Sequence, residues 1–431
     1  MRRPRRRRIC RFAPIKNLRL HPVPGPSQFL RASRFAAGLL LAAHSTAFAA
    51  DASPAPDLPP PAPVVVKLSA DQIAAYRYSL EKSRQDIGLP GVAVALIQPG
   101  LTLLLDGLGQ RSHGGTAPVT PETRFALGPA TAAVNSLLLA RLVAQNVLDL
   151  DAPARRCWDE FALADAAATH NVTLRQLLGM TAGLPERADA MLRAPTRTPA
   201  DLFTVAAEIP ITAPPGRGFD YSDASTALAG YLAVYAANHL HAPDVGLPAG
   251  YAALVKTNLL DPLVMKRATF DAPSASSDDD DAAGHTRASN GLWQLAPAPP
   301  ASDTALRPAL GLRASARDVA AWLQVELSGG VGPDGARLLG EDAVQARWRP
   351  AAGPDRHGYA LGWAQQHYRG LEIIARMGEQ DNQAELVAII PQYRTALAVL
   401  VNGGGQDAAA YLQNALLNLA DLLREASDAD N

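Results

Sequence analysis

The chain has 431 residues, 48% of them hydrophobic and 19% charged, which is apolar material enough for a large core and excludes a disordered polymer. Its formal charge of −1 conceals an asymmetry: residues 1–50 hold 11 of the 40 Lys and Arg and no acid, leaving 29 basic against 41 acidic residues, a net of −12. That acidic remainder carries no basic footprint for nucleic acid.

Chain order begins with a basic cluster, Arg2 to Arg11, then a short apolar run, Phe35 to Ala43, then Ala47-Phe48-Ala49. A basic n-region, an h-region too short to span a bilayer and an A-x-A site predict a signal peptide over residues 1–49 and export to the periplasm or beyond. No later apolar run is long enough for a membrane span. Six prolines between Asp51 and Pro63 read as a stiff linker, assigned to residues 50–67. Cys10 would leave with the leader, so Cys157 stands alone, without an intrachain disulfide, as a small buried hydrophobe.

Periodic structure starts with a helix from Leu68 to about Ile87. Gly91 to Gln98 and Leu101 to Gly107 are strand-like runs around Pro99-Gly100, a hairpin pattern. From Thr131 to Val147, Val134, Leu137, Leu138 and Leu142 share one helical face. Helical patterns then dominate to about residue 270. Asp278 to Asp281 reads as a solvated acidic loop, since it lacks the spacing of a calcium-binding loop. Trp363, Leu371 to Ile374, Leu386 to Ile390 and Ala396 to Val401 look like strands, closed by a helix from Gln406 to Ala426. Strands at both ends of a helical middle predict an α+β fold. A sheet subdomain (about 68–128 and 306–425) would enclose a helical one (about 129–305), with 426–431 as a tail.

Several segments, in order, carry a family resemblance. They are Leu89-Pro90-Gly91-Val92-Ala93, Thr123 to Gly128, Leu148 to Pro153, Val172 to Leu178 with Gly183-Leu184-Pro185, Pro215-Gly216 with Phe219 and Tyr221-Ser222-Asp223, Gly358 to Trp363, and Val401-Asn402-Gly403. Over residues 68–425 the chain resembles the serine β-lactamase and penicillin-binding-protein family, with its class C β-lactamases, D-alanyl-D-alanine carboxypeptidases and esterases. The resemblance implies an antiparallel sheet flanked by helices, with an inserted mostly helical domain. It also implies acyl transfer: a serine opening a helix attacks a carbonyl, a lysine three residues on takes its proton, and a tyrosine relays protons.

The motif positions depart from that pattern. The nucleophile position is Pro129 and the lysine position Ala132. Proline suits the first turn of a helix, so the fold tolerates the change. Yet it supplies no hydroxyl and removes an N–H that in this family lines the oxyanion hole. Losing one such donor costs on the order of 10²–10³ in rate, and losing a nucleophile roughly 10⁶. The second motif keeps Tyr221 but has Asp223 for asparagine. In the third motif, Arg376 stands where many relatives have histidine, and Gly378 keeps the close strand approach. Arg376 offers a fork suited to carboxylate, so Tyr221 and Arg376 are the ligand-binding candidates. Met180-Thr181-Ala182-Gly183 replaces a His-Thr-Ser-Gly.

Other matches are decoys. Ser79-Leu80-Glu81-Lys82 precedes the opening strand, and Lys256-Thr257-Asn258 lies in a helical context. Thr131 and Ser136 share the motif helix, but no lysine occurs between Lys82 and Lys256. His239 and His241 lack a ligand cluster, and neither a metal nor a cofactor is called for. The expected protein is therefore an exported, catalytically inactive homologue that binds a ligand or partner, such as a cell-wall peptide or an envelope protein. The alternative is an active hydrolase of β-lactamase, carboxypeptidase or esterase type with a displaced nucleophile.

Overall fold

A computed structural model of the chain describes residues 64–238, 246–273, 280–297, 305–350 and 358–430. The leader, most of the linker, His239, His241, Asp278 and Asp279 lie outside the described residues. No helix among the described residues is long and apolar enough to cross a membrane.

Helix α1 (Ala70–Asp86) begins at Ser69, whose hydroxyl accepts the Gln72 N–H (3.2 Å) while the Gln72 side chain accepts the Ser69 N–H (2.8 Å). This reciprocal cap satisfies donors that a helix start leaves open. There follow β1 (Gly91–Gln98), β2 (Leu101–Gly109), β3 (Arg124–Ala126), the buried α2 (Thr131–Ala144) and α3 (Asp223–Asn238). The chain closes with β4 (His285–Arg287), β5 (Trp293–Leu295), β6 (Arg313–Ser315), α4 (Ala316–Leu327), β7 (Ala364–Tyr368), β8 (Leu371–Gln380), β9 (Gln383–Ile390), β10 (Thr395–Val401) and α5 (Gln406–Asp430).

Six strands form one antiparallel sheet in the order β2-β1-β10-β9-β8-β7, so the two sequence-distant halves meet where β1 pairs with β10. Both faces of the central strands are covered. Val92, Val94 and Leu96 pack with α1 and α5, while Ala93, Ala95 and Ile97 pack with α4 and the helical region. Two-sided burial is why β1 and β10 read as continuous apolar runs instead of alternating ones. Helix α2 is buried along eleven of its 14 residues, so it is the central pillar of the helical region.

The architecture is the α+β arrangement expected, with four local differences. First, the linker ends early: the Val64 N–H donates to the Gln392 carbonyl (2.7 Å), and Val66 is buried with its carbonyl accepting the Gln98 amide (2.7 Å). Val66, at 2% exposure, gains more by burial beside the ends of the central strands than by staying extended in water. Second, α5 runs to Asp430, absorbing most of the expected tail. Third, α2 stops at Ala144, and Asn146 turns the chain at a φ of 60°. Fourth, the acidic run is partly structural. Asp281 accepts two bonds from Arg124 (3.0 and 2.6 Å), and Asp280 accepts from the hydroxyls of Thr123 (2.6 Å) and Thr120 (3.0 Å). A half-buried guanidinium needs a counter-charge, and these carboxylates supply it.

Gly362 has a φ of 76°, and a Cβ there would collide with the Ala132 carbonyl of α2. Gly362→Ala should cost about 2 kcal/mol or more, from the left-handed backbone and the overpacked contact together. The shift of the denaturant midpoint reads it.

Candidate functional site

The motif positions come together at one place: the 3₁₀ turn Gly128–Ala130 that leads into α2, the strand β8, and the loop before α3. Pro129 occupies the first turn, and its ring lies against Gly378, where any Cβ would strike it. The glycine is needed for that approach. Ala132 puts a buried methyl where a base would sit.

Arg376 reaches across from β8 and is buried, at 5% exposure. Its Nε donates to the Pro129 carbonyl (3.1 Å), and its Nη2 donates to the Tyr221 hydroxyl in a short bond. The guanidinium also lies over two rings, 5.2 Å from the Tyr221 centroid and 5.5 Å from that of Tyr359. The Tyr221 hydroxyl donates onward to Asp223 Oδ1 (2.7 Å), and Arg193 Nη2 pairs with Asp223 Oδ2 (2.8 Å). The result is a closed relay, Pro129–Arg376–Tyr221–Asp223–Arg193, in which each group already has its partner.

Its electrostatics follow from that closure. Burial pushes the Tyr221 phenol well above its ordinary value, and Asp223 adds to the effect despite the opposing Arg376. A tyrosinate general base is therefore disfavoured. Burial opposes the charge of Arg376, but the facing oxygens of Tyr221, Tyr359 and Asp223 outweigh it and hold the guanidinium firmly cationic.

Two acids complete the surroundings, and sequence reasoning missed both. Asp189 caps α3: its Oδ1 accepts the Ser222 hydroxyl (3.0 Å) and the Ala224 N–H (2.9 Å), and its Oδ2 accepts the Asp223 N–H (2.8 Å). Burial, with Asp223 beside it, raises its carboxyl above the ordinary range. Glu385, fully buried on β9, accepts the Ala130 N–H (3.2 Å) at Oε1, while its Oε2 has no hydrogen-bond partner. A carboxylate inside the apolar run Gln383 to Ile390 was the available signal, since such groups stay buried only when paired or protonated.

Burial pushes the Glu385 carboxyl well above its ordinary 4.5. The folded chain thus keeps a proton that the unfolded chain releases near that value. Stability must then fall as pH rises from there toward the raised folded value. Glu385→Gln should flatten this slope, read from urea midpoints between about pH 4 and pH 8.

The displaced-hydroxyl candidates are engaged elsewhere. Thr131 Oγ1 accepts the Leu312 N–H (3.2 Å). Ser136 donates to the Ala133 carbonyl (2.9 Å) and accepts from Arg347 Nε (3.1 Å). Ser222 does face a carboxylate, Asp189, but it is fully buried as part of the α3 cap. Ser79 and Lys82 lie along α1, where Ser79 bonds the Tyr76 carbonyl (2.7 Å) and Lys82 pairs with Asp86 (2.8 Å). Lys256 opens a π-turn, not a strand, and pairs with Asp261. Burial raises the Cys157 thiol to about 11, which suppresses the reactive thiolate. Among the described residues no group of three His, Cys, Asp or Glu could hold a metal ion.

A six-stranded antiparallel sheet whose β8 carries a basic residue and a glycine against the first turn of a buried helix, faced by a tyrosine loop, defines the scaffold of the β-lactamase and transpeptidase class. The Beta-lactamase family profile matches residues 79–421, and the chain belongs to that family. It is 23% identical over 351 residues to Penicillin-binding protein 4 of Amycolatopsis lactamdurans, covering 77% of this chain and 85% of that one. It is 25% identical over 334 residues to the Unguisins hydrolase ungD' of Aspergillus campestris, covering 73% of this chain and 58% of the relative. The match to the human mitochondrial serine beta-lactamase-like protein LACTB is 27% over 125 residues, 29% of this chain and 23% of that protein. The chain thus spans little more than half of the fungal hydrolase and about a quarter of the human protein. Among solved structures, the octameric penicillin-binding protein homologue from Pyrococcus abyssi superposes with a TM-score of 0.67 at 21% identity, covering 81% of this chain and 77% of that one. A crystal structure of SurE superposes at 0.65 and 23% identity, covering 83% and 77%.

Proposed function

We propose that this chain is a catalytically silent member of the Beta-lactamase family that acts by binding instead of acyl transfer. The observation that carries the reading is the closure of the motif site. Pro129 stands for the nucleophile, Arg376 is bonded to the Pro129 carbonyl, and the Tyr221 hydroxyl is spent on Asp223. Acyl transfer needs a nucleophile within reach of a base, plus donors aimed at the developing oxyanion. Pro129 supplies neither a hydroxyl nor an N–H. The basic, apolar and A-x-A pattern over residues 1–49 supports a role outside the cytoplasm, and in this reading the partner is a cell-wall peptide or an envelope protein.

The test is covalent labelling. Incubated with a fluorescent penicillin or a fluorophosphonate, the protein should show no stoichiometric adduct by intact mass. An adduct abolished by substituting a single serine, Ser222 being the first to try, would establish the active-hydrolase alternative and overturn this reading.

A further inference from the structure

Beside the closed site lies a cavity of about 170 Å³, walled by Arg193, Arg307, Arg313, Phe270, Leu312 and Gln380. Arg313, on β6, is the unusual member. Its side chain is 5% exposed, and none of its three guanidinium nitrogens has a hydrogen-bond partner. Asp281 and Asp381 stand 3.6 Å away, close enough for charge but beyond hydrogen-bond reach. Both acids have other donors: Asp281 is held twice by Arg124, and Asp381 Oδ1 accepts the Gln380 amide (3.0 Å).

A buried donor left without an acceptor costs about 1–3 kcal/mol, more when charged. A guanidinium carries five N–H donors in a planar fork. Open donors bordering open space call for acceptor oxygens, and a fork matches the two oxygens of a carboxylate. The surrounding charge agrees. The lining has three arginines against Asp271 and Asp381, and Asp271 is already occupied by the Thr269 hydroxyl (2.8 Å). Arg193 is paired with Asp223, and Arg307 donates to the Pro248 carbonyl (3.2 Å) beside the Phe270 ring. Those two contribute field, and Arg313 contributes the unused hydrogen bonds. Ala272 and Pro273, with the edge of Phe270 behind them, give the ligand an apolar wall. At roughly 30 Å³ per water, the volume admits about five or six waters or a molecule of similar size.

We propose that this cavity is a binding site for a small carboxylate with a short apolar body, which Arg313 grips through both oxygens. The inference rests on the binding reading above. It is tested on the chain as it stands by calorimetric titration with isobutyrate and, at matched ionic strength, with the neutral isobutyramide. Isobutyrate should bind saturably and isobutyramide should not. Arg313→Gln should weaken binding tenfold or more, and Arg307→Gln a few-fold while keeping the native circular dichroism. If Arg313→Gln does not fold, Arg307→Gln carries the comparison. A flat isobutyrate titration, an equal response to the amide, or unchanged affinity in the folded variants would each overturn the site. Covalent labelling would overturn catalytic silence without touching the titration, and a flat titration of an unlabelled protein would remove only the cavity.

Discussion

Pro129→Ser should leave the chain as unreactive toward a fluorophosphonate as the unsubstituted protein. The change restores a hydroxyl and a backbone N–H at the head of α2, which looks like most of what was lost. It restores no base. Position 132 is a buried alanine, the Tyr221 hydroxyl points its proton at Asp223, and Arg376 holds that oxygen from the other side. In a comparable hydrolase, removing the base alone costs about as much as removing the whole triad, roughly 10⁶ in rate. Intact-mass spectrometry after long incubation measures it. A stoichiometric adduct on residue 129 would mean that some group now acts as base, and the relay would have to open.

The second large effect is on stability. Arg347→Met should lower the unfolding free energy by about 3–5 kcal/mol, the usual result of stranding one partner of a buried ion pair. Arg347 and Glu326 are 1% and 0% exposed and joined by two bonds of 2.7 and 3.0 Å. The same guanidinium reaches Ser136 of α2, and Trp322 Nε1 donates to Glu326 (2.8 Å), so one pair ties α4, α2 and the end of the short helix Glu341–Ala346. Adding Glu326→Gln should recover a good part of the loss, because the stranded charge is then gone. Guanidinium midpoints of the single and double variants form the needed cycle.

What could be read in advance depended on the range of the interaction. Pro99-Gly100 between two apolar runs marks the β1–β2 hairpin because turn and strands are adjacent in the chain. Pro129, Ala132 and Arg376 were legible because ordered motifs located them, and the structure joins Pro129 and Tyr221 through Arg376. Their closure was not legible: whether Arg376 faces a ligand or Tyr221 depends on where β8 lies relative to α3, about 150 residues apart. Asp189, Arg193 and Glu385 were missed for the same reason. Asp189 and Arg193 look like ordinary surface charges until their long-range partners are known, whereas Glu385 stood out only by its place in an apolar run, which does not tell what it faces. The acidic run misled in the opposite direction, since it takes the distant Thr120, Thr123 and Arg124 to turn Asp280 and Asp281 from solvated loop into clamp.

The pairing of β1 with β10 has a consequence for how the chain acquires its shape. As the polypeptide emerges, β1 and β2 can form a hairpin, but a lone two-stranded hairpin is marginal in water. The neighbour on its other edge, β10, is about 300 residues later, and the α5 helix that covers one face comes later still. An apolar ribbon stays without its partner through nearly the whole of synthesis, so folding waits on the last strand, and a chain cut short before residue 395 would present that ribbon to anything able to pair with it.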